Sequence, residues 1–127
     1  MKNGIVYFVG AGPGDPGLLT IKGKQALEEA DVILYDRLAN PKLLEFASPD
    51  CQFIYCGKLP NRHFMKQKEI NALLVEKALN GLTVVRLKGG DPSVFGRVGE
   101  EADALHEHGI RYEMVPGITS GIAAPLY

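Results

Sequence analysis

Five short, continuous apolar runs recur along the chain, each ending at a small, charged or imino residue. Ile5-Val6-Tyr7-Phe8-Val9 stops at Gly10, Val32-Ile33-Leu34-Tyr35 at Asp36, and Phe53-Ile54-Tyr55-Cys56 at Gly57. Val84-Val85-Arg86-Leu87 stops just before Gly89, and Tyr112-Glu113-Met114-Val115 at Pro116. Runs of this kind suit strands covered on both faces, as in a parallel sheet. Between them the apolar spacing changes to three and four. Leu19, Gly23, Ala26, Leu27 and Ala30 make one helical stripe, and Ile70, Leu73, Leu74 and Ala78 another, with Gly81 placed as its stop. Glu100 and Glu101 open a third helix at the end where its dipole favours anions, and Gly109 closes it. A shorter helix is expected over 41–47.

Strand then helix, repeated, predicts right-handed βαβ units. The expected fold is α/β, an open, mainly parallel sheet of about five strands flanked by helices. Residues 119–127 read as the first turns of a small-residue helix. The expectation is therefore that residues 1–127 form the N-terminal domain of a longer protein.

The residues that follow the strands are unusual. They are Gly10-Ala11-Gly12-Pro13-Gly14-Asp15-Pro16-Gly17, Asp36-Arg37-Leu38, Gly57-Lys58, Lys88-Gly89-Gly90-Asp91-Pro92 and Pro116-Gly117-Ile118-Thr119-Ser120. Glycine and proline punctuate any loop, but that does not account for Asp36, Lys58 and Asp91 at the same edge. In a parallel sheet these segments share the carboxyl edge, where open α/β folds bind ligands. The first loop departs from a dinucleotide fingerprint. Asp15 stands where the last glycine of G-x-G-x-x-G belongs, and Pro16 where the helix should begin.

Composition narrows the classes further. Of 127 residues 46% are apolar and 23% charged, which is globular. With 14 basic against 15 acidic residues, the chain carries no electrostatic footprint for nucleic acid or an anionic membrane. No apolar run approaches the roughly 20 residues of a membrane span, and no secretory leader is evident. A cytoplasmic protein is expected. Cys51 and Cys56 have poor zinc spacing and read as core or edge residues, so no metal is expected. His106 and His108, near a helix end, read as dipole compensation.

Together the segments resemble the tetrapyrrole methylases, most closely the branch acting on uroporphyrinogen III. The matching stretches are residues 9–20 (VGAGPGDPGLLT), Tyr35-Asp36-Arg37-Leu38, Gly57-Lys58, and His63 with Gln67, Glu69, Ile70 and Asn71. Residues 84–97 (VVRLKGGDPSVFGR), continuing to Glu100-Glu101, and 115–120 (VPGITS) complete them. The long fourth motif is the specific one; the glycine loop alone is shared more widely. Two positions depart from the usual pattern: Val98 where a glycine is common, and Leu59-Pro60 after Lys58.

The resemblance implies two α/β domains with S-adenosylmethionine in the cleft between them, usually in a homodimer. The second domain lies outside residues 1–127, which alone present one wall of that cleft and are expected to be without turnover. It implies methyl transfer to ring carbons of uroporphyrinogen III, giving precorrin-2 for sirohaem or cobalamin. It assigns Asp36 as the base and Lys58 as a proton donor. It places Pro13, Gly89, Gly90, Asp91, Val94, Thr119 and Ser120 against the donor. The acceptor carries many carboxylates, which makes Arg37, Arg62, His63 and Arg97 candidate contacts. A methylase of another precorrin, or a nucleotide-binding or assembly module without catalysis, are the alternatives.

Overall fold

A computed structural model of the chain describes residues 4–10, 20–36, 41–57, 67–88 and 98–115. Five strands alternate with helices: β1 (Ile5–Gly10), α1 (Ile21–Glu29), β2 (Val32–Tyr35), a 3-10 helix (Pro41–Phe46), β3 (Gln52–Tyr55), α2 (Gln67–Leu79), β4 (Thr83–Lys88), α3 (Val98–Glu107) and β5 (Arg111–Val115). All pair in parallel, in the order β3-β2-β4-β1-β5. The expected α/β class, strand number and parallel pairing are what the structure has.

Local chemistry sets the element ends. Thr20 caps α1, its Oγ1 accepting from the Gly23 amide at 3.0 Å. Gly81 and Gly109 follow α2 and α3 with φ of 84° and 69°, the left-handed backbone that lets glycine end a helix cheaply. Asp31 sets the far edge of the sheet. Its amide donates to Thr83 O, its Oδ2 accepts from Thr83 N, both at 2.8 Å, and its carbonyl accepts from Gln52 N at 2.9 Å. One residue thus fixes the register of β2 against both neighbours.

Register then decides the two cores. Val6, Phe8, Val32, Leu34 and Val84 face α2 and α3, meeting Ile70, Leu74, Ala78, Ala102 and Leu105. Val9, Ile33, Val85, Leu87 and Val115 face the opposite way, onto Ala26, Leu27 and Leu43 of α1 and the 3-10 helix. Each fully buried leucine contributes about 1.5–3 kcal/mol relative to exposure. The expectation of strands covered on both faces holds for β2 and β4 and needs correcting for β3 and β5. These are the sheet's edges, and Phe53, Tyr112 and Met114 are partly exposed there. No helix among the described residues is long and apolar enough to cross a membrane.

Gly4 enters β1 where there is no room for a side chain. Its amide donates to Ala78 O at 2.7 Å, and a Cβ there would lie 1.8 Å from the Leu82 carbonyl oxygen. Gly4→Ala is expected to lower stability by about 1–3 kcal/mol, the usual cost of forcing atoms into a packed site. Urea unfolding of the two proteins measures it, and an unchanged midpoint would contradict the packing described.

Candidate functional site

Because the strands are parallel, β1 and β4 end side by side, Gly10 opposite Lys88. From this point their connections part. The chain leaving β1 passes to β2 through α1 on one face, and the chain leaving β4 passes to β5 through α3 on the other. A crevice outside the strand ends at such a switch point is the usual ligand site of an open α/β sheet.

One row of residues lines this edge. Tyr35 is opposite both Tyr55 and Leu87, and the ladder runs one step further, with the Cys56 amide donating to Tyr35 O at 2.8 Å. The next positions are therefore Cys56, Asp36, Lys88 and Gly10, in order across the sheet. Asp36 is half-buried, whereas Cys56 and Lys88 are buried.

Directly inside the row lies a buried ionic cluster. Glu101 of α3 has no exposure. Its Oε1 accepts from Arg86 Nε at 3.2 Å, and its Oε2 accepts from Lys88 Nζ at 2.9 Å and from Gln67 Nε2 at 3.1 Å. The Gln67 amide also donates to Asn71 Oδ1 at 2.9 Å. Arg86 and Lys88 are themselves only 5% and 4% exposed, and Arg86 Nη1 has no hydrogen-bond partner among the described residues. Removing these charges from water costs several kcal/mol per ion, offset only by such multiple contacts.

The cluster shapes its neighbours electrostatically. Burial, then the charge of Arg86, pushes the Lys88 ammonium below its ordinary 10.5, while Glu101 and Asp36 oppose the shift. In the interval between that lowered value and 10.5 the unfolded chain binds more protons than the fold, so Lys88 adds stability as pH rises there. Burial likewise pushes the thiol of Cys56 up from 9.0; Arg86 and Lys88 pull it down, Glu101 and Asp36 push it further up. Cys51 is raised by burial and by Asp31. Both cysteines are core thiols, as expected from their setting.

Of the residues expected to carry function, Asp36 is the one that falls among the described residues, and it stands at the expected edge. Lys58, Pro13, Gly89, Gly90, Asp91, Val94, Thr119, Ser120, Arg37, Arg62, His63 and Arg97 lie outside them. His106 and His108 are exposed at the end of α3, and His108 Nδ1 approaches Ala104 O at 2.8 Å, which suits a helix-end role. The sequence reading missed Arg86, Lys88, Glu101 and Gln67 as a unit. The available signals were an arginine inside an apolar strand run and an acid four residues before Leu105 on a buried helical stripe.

The family described as Tetrapyrrole (Corrin/Porphyrin) Methylases matches residues 5–127. Over all 127 residues the chain is 99% identical to a Uroporphyrinogen-III C-methyltransferase of Bacillus subtilis (strain 168), of which it spans 26%. It is 64% identical, over 98% of its length, to the enzyme of that name from Priestia megaterium, spanning 52% of it. Among solved structures, the Uroporphyrin-III C-methyl transferase of Thermus thermophilus complexed with S-adenyl homocysteine superposes with a TM-score of 0.77 at 52% identity. That match covers 96% of this chain and 52% of that one. The chain thus spans between a quarter and about half of these relatives.

Glu101 is the hub of the cluster, so its removal strands two buried cations. Glu101→Leu is expected to cost about 3–5 kcal/mol, whereas the triple change Glu101→Leu, Arg86→Met, Lys88→Met should cost far less. Urea titrations of both variants decide it; a single variant that loses under about 1 kcal/mol contradicts the geometry. A second expectation concerns the thiols. Neither Cys51 nor Cys56 should react appreciably with a disulfide reagent at pH 8, and both should appear once urea unfolds the chain. Rapid reaction of either in the native protein would show that it is not buried.

Proposed function

The chain belongs to the tetrapyrrole methylase family, and on that footing we propose that it is the base-bearing N-terminal domain of an S-adenosylmethionine-dependent methyltransferase acting on uroporphyrinogen III. The observation that carries the reading is Asp36, a half-buried carboxylate at the carboxyl edge of the sheet, one strand from the switch point between Gly10 and Lys88. The relatives reported above, named for that substrate and in one case complexed with S-adenyl homocysteine, support it.

S-adenosylmethionine fits the switch point by position. The segments proposed to hold it, around Pro13 and around Gly89, Gly90, Asp91 and Val94, depart from β1 and β4, which end side by side. Thr119 and Ser120 follow β5, the neighbour of β1 on its other side. Bound there, it would supply a methyl group already activated by a sulfonium. The accepting ring carbon forms the new C–C bond as the C–S bond of the sulfonium breaks, the macrocycle must then release a proton from another of its positions, and Asp36 takes it. A carboxylate screened from bulk water on its buried side suits that step. Lys58 donates a proton, while Arg37, Arg62, His63 and Arg97 bind the acceptor's carboxylates, the guanidinium groups in bidentate fashion. Methylation at two ring carbons gives precorrin-2, the branch point toward sirohaem and cobalamin. The working protein is a cytoplasmic homodimer in which a second domain supplies the other wall of the cleft.

In the full-length protein Asp36→Asn should lower methyl transfer to uroporphyrinogen III by about 10²–10⁴, the usual cost of losing a general base. Affinity for S-adenosylhomocysteine, read by calorimetry, should stay within about twofold, because the amide is isosteric. Wild-type turnover in this variant would remove Asp36 from the mechanism.

A further inference from the structure

We propose that Lys88 is a positioning residue for Asp36: fastened by Glu101 beneath the sheet edge, its ammonium backs the Asp36 carboxylate from the neighbouring strand and holds it oriented for the reaction. The proposal rests on the reading of Asp36 as the base and adds a residue that neither the family resemblance nor the relatives assign.

Three observations converge. First, the pairing of Tyr35 with Leu87 puts Asp36 and Lys88 at adjoining positions in the edge row, on the face of α2 and α3. Second, Lys88 is held in place. It is 4% exposed, and its Nζ is 2.9 Å from Glu101 Oε2, an atom that also takes a hydrogen bond from Gln67. An ammonium has three donors, so two directions remain after the bond to Glu101. Third, among the described residues the charges balance only when Asp36 is counted. Arg86 and Lys88 are two buried cations, and Glu101 is one carboxylate. Asp36 is the other acid whose charge reaches both Lys88 and the neighbouring Cys56 thiol. A buried surplus of one positive charge adds to the cost of desolvating the set, and a second carboxylate offsets part of it.

The two acids are not equivalent within that set. Glu101 is wholly buried and takes three donors, which makes it the anchor. Asp36 is half-buried at the end of β2. Arg86 cannot take the place of Lys88, because it sits two residues further inside the sheet, opposite Phe8 and Leu34. A fixed cation on the neighbouring strand attracts a carboxylate and limits its rotation.

The test uses full-length protein and Lys88→Gln, which keeps a side-chain hydrogen-bond donor but carries no charge. Among the described residues, the titratable groups facing Lys88 are Arg86 on its own strand, Glu101 from α3, Asp36 after β2 and Cys56 after β3. Turnover should fall about 10- to 100-fold, S-adenosylhomocysteine affinity should be unchanged, and Lys88→Arg should recover part of the loss. In an Asp36→Asn background, Lys88→Gln should cost nothing further. A folded Lys88→Gln protein with wild-type turnover, or a full additional loss in the Asp36→Asn background, overturns the proposal. A second measurement needs no Lys88 variant and decides the matter if Lys88→Gln does not fold. With lysine side chains labelled with nitrogen-15, the Lys88 ammonium resonance should shift between wild type and Asp36→Asn. An unshifted resonance breaks the pair, whereas a shifted one beside wild-type turnover in Asp36→Asn keeps the pair and removes only the base.

Discussion

The carboxylate of Glu101 is the interaction on which the ligand edge depends. It is wholly buried, and it joins α3 to the end of β4 through Arg86 and Lys88 and to the start of α2 through Gln67. The apolar contacts among Leu74, Leu105 and Phe8 would tolerate small sliding of the helices over the sheet. An ion cluster desolvated this completely does not, because any partner lost leaves an uncompensated charge in a medium of low dielectric. The cluster therefore converts a general hydrophobic layer into one defined placement of the strand ends.

That placement matters because parallel pairing gathers the strand ends at one edge. Asp36, Cys56, Lys88 and Gly10 come from four different strands or their ends, yet fall in one row through the register alone. Register is held at the far edge by Asp31 and at the near edge by the ions, so the sheet is fixed at both ends of its central strands. Chemistry placed on such a rigid edge needs little reorganisation when a substrate arrives.

The division of charge along the row follows the same logic. The anchor acid lies fully inside, where it takes three donors, and Asp36 stands half-buried at the end of β2. The raised thiols of Cys51 and Cys56 fit their position against these groups and leave both cysteines as packing residues.

The architecture was legible in the sequence for a physical reason. Strands covered on both faces read as unbroken apolar runs, helices as stripes with spacing of three and four, and Gly81 and Gly109 as stops because an L-residue is strained there. Asp36 was legible too, since a charged residue ending such a run must stand at the strand's carboxyl edge. The strand order was not, because β1 pairs with β4 across 70 or more residues and no local signal records that neighbour. The buried cluster was also beyond reach. Glu101 beside Glu100 at a helix start is explained well enough by the helix dipole, and Lys88 before two glycines passes for a loop residue. Only the packing of α3 against β4 turned these two ordinary charges, with Arg86, into one desolvated set, and only the register brought that set against Asp36.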